Sequence, residues 1–90
     1  MSNRLHGTER VFKALANRRR LMIVAYLHTE KRASVTDIAA KIRLSVAATS
    51  RHLRQLATAD IVESEQEVTT VYYSLPSRRH PALEAAIRSL

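Results

Sequence analysis

Between Ser45 and Leu56 the chain reads SVAATSRHLRQL, and its polar groups are spaced to read a polyanion. Wound as a helix at about 100° per residue, Thr49, Leu53 and Leu56 share one edge. Ala47, Arg51, Arg54 and Thr58 fall diametrically opposite, flanked by Ala48, Ser50 and Gln55. The small residues on that side let a backbone approach closely. The Arg51 fork suits the paired acceptors of a guanine or a phosphate, while Arg54 and Gln55, a turn later, suit phosphates. The Ser45 hydroxyl and the first helical amides also suit a phosphate. Ser45, Ala47, Ala48, Thr49, Ser50, Arg51, Arg54 and Gln55 are thus the candidate contacts of a helix lying in a DNA major groove. The plainer alternative is an amphipathic surface helix whose arginines are only solvated.

Other groups offer weaker chemistry. Arg18–Arg20 begin a second helical pattern, where cations oppose the helix dipole. Either a phosphate or a salt bridge to Asp37, Glu9 or Glu30 would account for them. His80 and Glu84 stand one helical turn apart and can supply two metal ligands, but Ile87 and Arg88 beyond them cannot ligate, so no metal is assigned. His52 lies close to the apolar edge and reads as a half-buried, hydrogen-bonded structural residue. His6 and His28 lack a neighbouring ligand. No nucleophile–base pair, phosphate-cradling glycine loop or paired carboxylate is present, so neither catalysis nor a cofactor is expected. Phe12, Tyr26, Tyr72 and Tyr73 are too scattered for a base-stacking platform, which argues against single-strand recognition.

The composition agrees with a nucleic-acid partner. Fifteen Lys and Arg against eight Asp and Glu leave a net charge of +7. Residues 61–75 run against the trend, with Glu63, Glu65 and Glu67 and no Lys or Arg. The absence of cysteine excludes disulfides, thiolate metal sites and thiol redox sensing within this chain. The N-terminus MSNRLHGTER has no apolar signal region and no apolar run approaches membrane-spanning length, so a cytoplasmic protein is expected. Ninety residues make a single domain, 1–90, with a thin core. Part of its apolar surface should then belong to a partner subunit. Leu5, Phe12, Leu83, Ile87 and Leu90, on short terminal helices, are the expected dimer seam.

The elements that must position these residues follow from caps and periods. Thr8 can cap a first helix running to about Ala16, and Asn17 a second through RRRLMIVAYLH. The polar patch Thr29–Ala33 ends it. Ser34 with Asp37 resembles a capping box opening Val35–Ile42, whose apolar face is Val35, Ile38, Ala39 and Ile42. Arg43 and Leu44 make the turn, and Ser45 caps the next helix. After Asp60 the period shifts from 3.6 to 2, giving strands at Ile61–Gln66 and Thr70–Leu75. Their turn is weakly specified, with no Gly, Asn or Asp between Glu67 and Thr69. Pro81 suits the first position of a last helix carrying Leu83, Ile87 and Leu90. The predicted order is α-α-α-α-β-β-α, mainly α with a small hairpin: a winged helix-turn-helix.

KALANRRRLMIVAYL, SVTDIAAKIRLSVAATSRHLRQLATADIV and VYYSL together resemble the ArsR/SmtB family of winged-helix repressors over roughly residues 10–75. The resemblance implies a homodimer formed by the first and last helices, a recognition helix at 45–58, and a hairpin wing near the flanking minor groove. It also implies repression of an operon until an inducer, here unidentified, loosens the hold on DNA. The family's thiolate metal motif needs cysteines, and this chain reads SVTDIAAKI in its place. The wing, often basic in relatives, reads ESEQEVTT, with Val68 where a turn glycine is expected. A winged-helix protein-interaction module, or a metal-responsive repressor using His80 and Glu84, are the alternatives.

Overall fold

The computed structural model describes residues 3–90 of the chain. Five helices and three short strands follow in order: α1 (Asn3–Leu15), α2 (Arg18–Glu30), β1 (Arg32–Ser34), α3 (Val35–Ile42), α4 (Val46–Thr58), β2 (Glu63–Glu67), β3 (Thr70–Ser74) and α5 (Pro81–Arg88). The winged helix-turn-helix expected from the periodicity is present.

Local side-chain chemistry sets most of the boundaries. The Asn17 side chain accepts from the Arg20 amide at the start of α2, and Ser34 Oγ accepts from the Asp37 amide at the start of α3. Ser45 Oγ does the same for the Ala48 amide at the start of α4. Each satisfies one donor that a helix start leaves orphaned. The turn between α3 and α4 is a Schellman motif. Its left-handed residue is Arg43, with φ of 57°, and the Leu44 amide reaches back to Ala39 O at 3.1 Å. His80 caps α5 through Nδ1, and Pro81 takes the first helical position.

α1 differs from expectation. It is already helical at Asn3, six residues before the Glu9 start that a Thr8 cap would give, so Thr8 is not its cap. Thr8 instead donates from inside the helix to Arg4 O at 2.9 Å. β1 is an addition to the expected order: Arg32–Ser34 pairs antiparallel with β3, Ala33 opposite Tyr73, giving the sheet order β1-β3-β2. Ile61 and Val62 are not strand residues but a buried lead-in from α4, and the strand β2 starts at Glu63.

The core joins every helix. Ile23, Val24 and Leu27 of α2 meet Ile38 and Ile42 of α3, Leu53 and Leu56 of α4, and Leu83 of α5. Each such side chain contributes about 1.5–3 kcal/mol when fully buried. Leu53 and Leu56 thereby fix the rotation of α4 about its axis, which decides what its other edge shows to solvent.

Candidate nucleic-acid interface

Because the apolar edge of α4 is sealed, its opposite edge faces outward. Ser45, Ala47, Arg51, Arg54, Gln55 and Thr58 are exposed, and Ala48 and Ser50 are half-buried. Thr49 is the exception among the candidate contacts. It is fully buried (0% exposed), so it cannot touch DNA from this position. Its Oγ1 has no hydrogen-bond partner. Thr49 is thus a packing residue carrying an unsatisfied hydroxyl.

The flank of α4 nearest α2 holds an arrangement that spacing alone did not reveal. Arg20, half-buried, donates from Nε to His52 Nδ1 at 3.1 Å and from Nη1 to Ala14 O at 3.2 Å. Arg19 Nη1 donates to Arg43 O at 3.3 Å, stiffening the turn before α4. Among the described residues, none of Asp37, Glu9 and Glu30 forms an ion pair with Arg18–Arg20. Arg20, Ala48, Arg51, His52, Arg54 and Gln55 line an open cleft of about 360 Å³. Desolvation, then the charges of Arg20, Arg19 and Arg51, push the His52 imidazole below the usual histidine range. Both effects favour the neutral ring, and the bond from Arg20 requires Nδ1 to be the acceptor. It is the half-buried, hydrogen-bonded residue expected.

The wing is acidic but not wholly unbalanced. Glu63, Glu65 and Glu67 are exposed along β2 on the face shared with Thr70, Tyr72 and Ser74. Arg32, delivered by β1, pairs with Glu67 and lies 3.9 Å from the Tyr72 ring centroid. The tip residue Val68 is 93% exposed and sits at φ of 55°.

The terminal helices divide the expected dimer seam in two. Leu5, Phe12 and Leu90 are each 53% exposed. Leu83 and Ile87 are buried in the subunit's own core, because the apolar face of α5 is turned onto it, so neither offers surface to a partner. A groove lined by Leu5, His6, Thr8, Glu9, Phe12 and Lys13 runs along α1. Phe12 and Thr8 connect it with a second groove that reaches His80, Pro81 and Ala82.

His80 and Glu84 do not come together as a ligand pair. His80 Nδ1 accepts from the Ala82 amide at 3.0 Å, and Glu84 pairs with Arg79 at 3.3 Å. Among the described residues no group of three or more His, Cys, Asp or Glu is placed to hold a metal ion. Nor is any helix long and apolar enough to cross a membrane.

Comparison with known proteins agrees with this geometry. A family described as a helix-turn-helix domain matches residues 15–65. The transcriptional activator HlyU of Vibrio cholerae is 36% identical over 73 residues, covering 81% of this chain and 67% of HlyU. The solved HlyU structure superposes with a TM-score of 0.84 at 31% identity, over 99% of this chain and 92% of that one. The chain belongs to the ArsR/SmtB family of winged-helix regulators. A solution structure of the homodimeric winged helix-turn-helix DNA-binding domain of Mb0332 from Mycobacterium bovis, a possible ArsR-family regulator, is similar too. It gives a TM-score of 0.77 at 32% identity, over 99% of this chain and 80% of that fragment. The cadmium resistance regulatory protein CadC of Listeria innocua is 44% identical over 62 residues, 69% of this chain. That stretch spans only 52% of CadC. In this family frame α3 and α4 are the helix-turn-helix, and β2–β3 are the wing.

Proposed function

We propose that this chain is a homodimeric, sequence-specific repressor that sets two copies of α4 in successive major grooves of an inverted-repeat operator. One observation carries the reading. α4 is locked by Leu53 and Leu56 so that Ala47, Arg51, Arg54 and Gln55 face solvent together on one edge, while Ser45 caps its start. An outward edge of that kind, small near its N-terminus and cationic a turn later, matches what groove reading requires. Ser45, Ala47, Ala48, Ser50, Arg51, Arg54 and Gln55 are its contact residues.

A second subunit has a place to sit. Leu5 and Phe12 expose apolar surface on α1, next to the groove shared with the start of α5, and Leu90 lies beyond the end of that helix. Two-fold pairing there would present both copies of α4 to half-sites about 10 base pairs apart centre to centre. Glu63 and Glu65 would face phosphates unfavourably, so the wing adds little to affinity. HlyU is named an activator, and a dimer of this shape serves either sign. Repression follows when the operator overlaps the promoter. The reading also places the protein in the cytoplasm, with the chromosome.

The test is retention of DNA from upstream of its own coding region in a gel shift at moderate salt, followed by footprinting. A two-fold symmetric footprint, with loss of a reporter's expression when the protein is supplied, is expected. No salt-sensitive retention of any duplex would leave the protein-interaction module as the better account.

A further inference from the structure

Three arginines and no carboxylate line the cleft between α2 and α4. Folding alone does not ask for this. α2 has no acidic residue in its first turn, so its cations oppose the positive end of the dipole without local compensation. Gathering Arg20 beside Arg51 and Arg54 costs further repulsion.

Arg20 is nevertheless held in place. Its bonds to Ala14 O and His52 Nδ1 use two of its five N–H donors and leave three. His52, accepting at Nδ1, must carry its own proton on Nε2, so the neutral ring serves as a bracket for a cation rather than as a charge. A guanidinium fixed on one side, with donors remaining and cationic neighbours, is arranged for an oxyanion.

We infer that this cleft seats one backbone phosphate of the bound duplex in each subunit, with Arg20 as the anchor from α2 and His52 as the residue that positions it. The inference rests on the DNA-binding reading above, and assigns a helix outside the helix-turn-helix to the contact. Phosphate contacts fix register and carry no sequence information. Arg20 would therefore set how α4 enters the groove, while the exposed edge of α4 reads bases.

The test uses the full chain and a duplex that the wild type retains, titrated over a range of salt concentrations. Arg20→Gln should weaken binding equally on every sequence and make the salt slope shallower by about 0.9 per subunit, or roughly 2 per dimer. His52→Ala should weaken binding roughly tenfold or more with no change of slope, because it removes a bracket and not a charge. His52→Gln, which keeps an acceptor for Arg20, should restore most of the loss. In duplexes carrying single neutral methylphosphonates, one position per half-site should weaken the wild type and not Arg20→Gln. Where circular dichroism shows Arg20→Gln unfolded, Arg20→Met, which keeps the stem length and removes the charge, takes its place in the salt titration and the methylphosphonate scan.

An unchanged slope with an unchanged scan overturns the phosphate seat. Wild-type affinity in His52→Ala overturns the positioning role. A wild type that binds no duplex even at low salt defeats the DNA reading itself, whereas a wild type that binds while the Arg20 variants match it defeats only this inference.

Discussion

His52 Nδ1 accepts a hydrogen bond from Arg20 Nε at 3.1 Å, joining the exposed helix α4 to α2 through a ring that must stay neutral to do so. Burial, then Arg20, Arg19 and Arg51, hold its pKa below the ordinary 6.5. A protonated ring would present a donor to a donor. Between the folded and unfolded values the unfolded chain binds more protons, so stability rises with pH through that window. The contribution is complete above about pH 6.5 and is lost as the pH falls below it. Urea unfolding of the wild type from about pH 8 down to about pH 5 should show this loss, and His52→Gln should lack it. Parallel profiles for the two proteins would refute the assignment.

Thr49 carries a cost that can be removed. Its Oγ1 is buried without a partner, and an unsatisfied buried hydroxyl is worth about 1–3 kcal/mol of lost stability. Thr49→Val keeps the shape and discards the hydroxyl. The variant should unfold at higher urea with an unchanged m-value, and should bind DNA like the wild type because the residue is 0% exposed. A clear loss of affinity would mean that α4 rotates when it binds.

Val68 sits at the wing tip with φ of 55°, a left-handed conformation that a β-branched residue adopts at a penalty. That penalty is about 1–2 kcal/mol, and glycine does not incur it. Val68→Gly should therefore slow amide hydrogen exchange across β2 and β3, and raise the denaturation midpoint if the wing unfolds with the core. Faster exchange in the hairpin would show that the tip is not strained.

What could be read in the sequence was whatever is encoded within a few residues. Ser34 with Asp37, and Ser45 with Ala48, are local contacts, so α3 and the start of α4 were legible to the residue. The 3.6-residue recurrence of Leu53 and Leu56 likewise identified the outward edge of α4. Contacts between distant segments were not legible. Arg20 and His52 are 32 positions apart, and nothing in RRR says which arginine will find a histidine. β1 is three residues long, too short to show a period, and exists because β3 offers it an edge. The pattern of α5 is that of an amphipathic helix, but a pattern cannot say which neighbour takes the apolar face. Leu83 and Ile87 went to the subunit's own core rather than to a second copy.

Arg51 separates base reading from mere adhesion. It is exposed at the middle of the outward edge of α4, two residues from the buried Leu53 that fixes its direction. A guanidinium there can fork onto guanine O6 and N7, a contact worth about 1–3 kcal/mol of discrimination. Arg51→Ala should weaken binding to the preferred operator by that amount and flatten the preference at one base pair of each half-site. Selection of binding sites from random duplexes, wild type beside variant, measures both effects. If affinity falls equally for every sequence, Arg51 holds a phosphate and base reading must come from Ser50, Gln55 and the small residues before them. Arg20→Gln is the control, because a phosphate contact there should lower all affinities together while leaving the selected sequence unchanged.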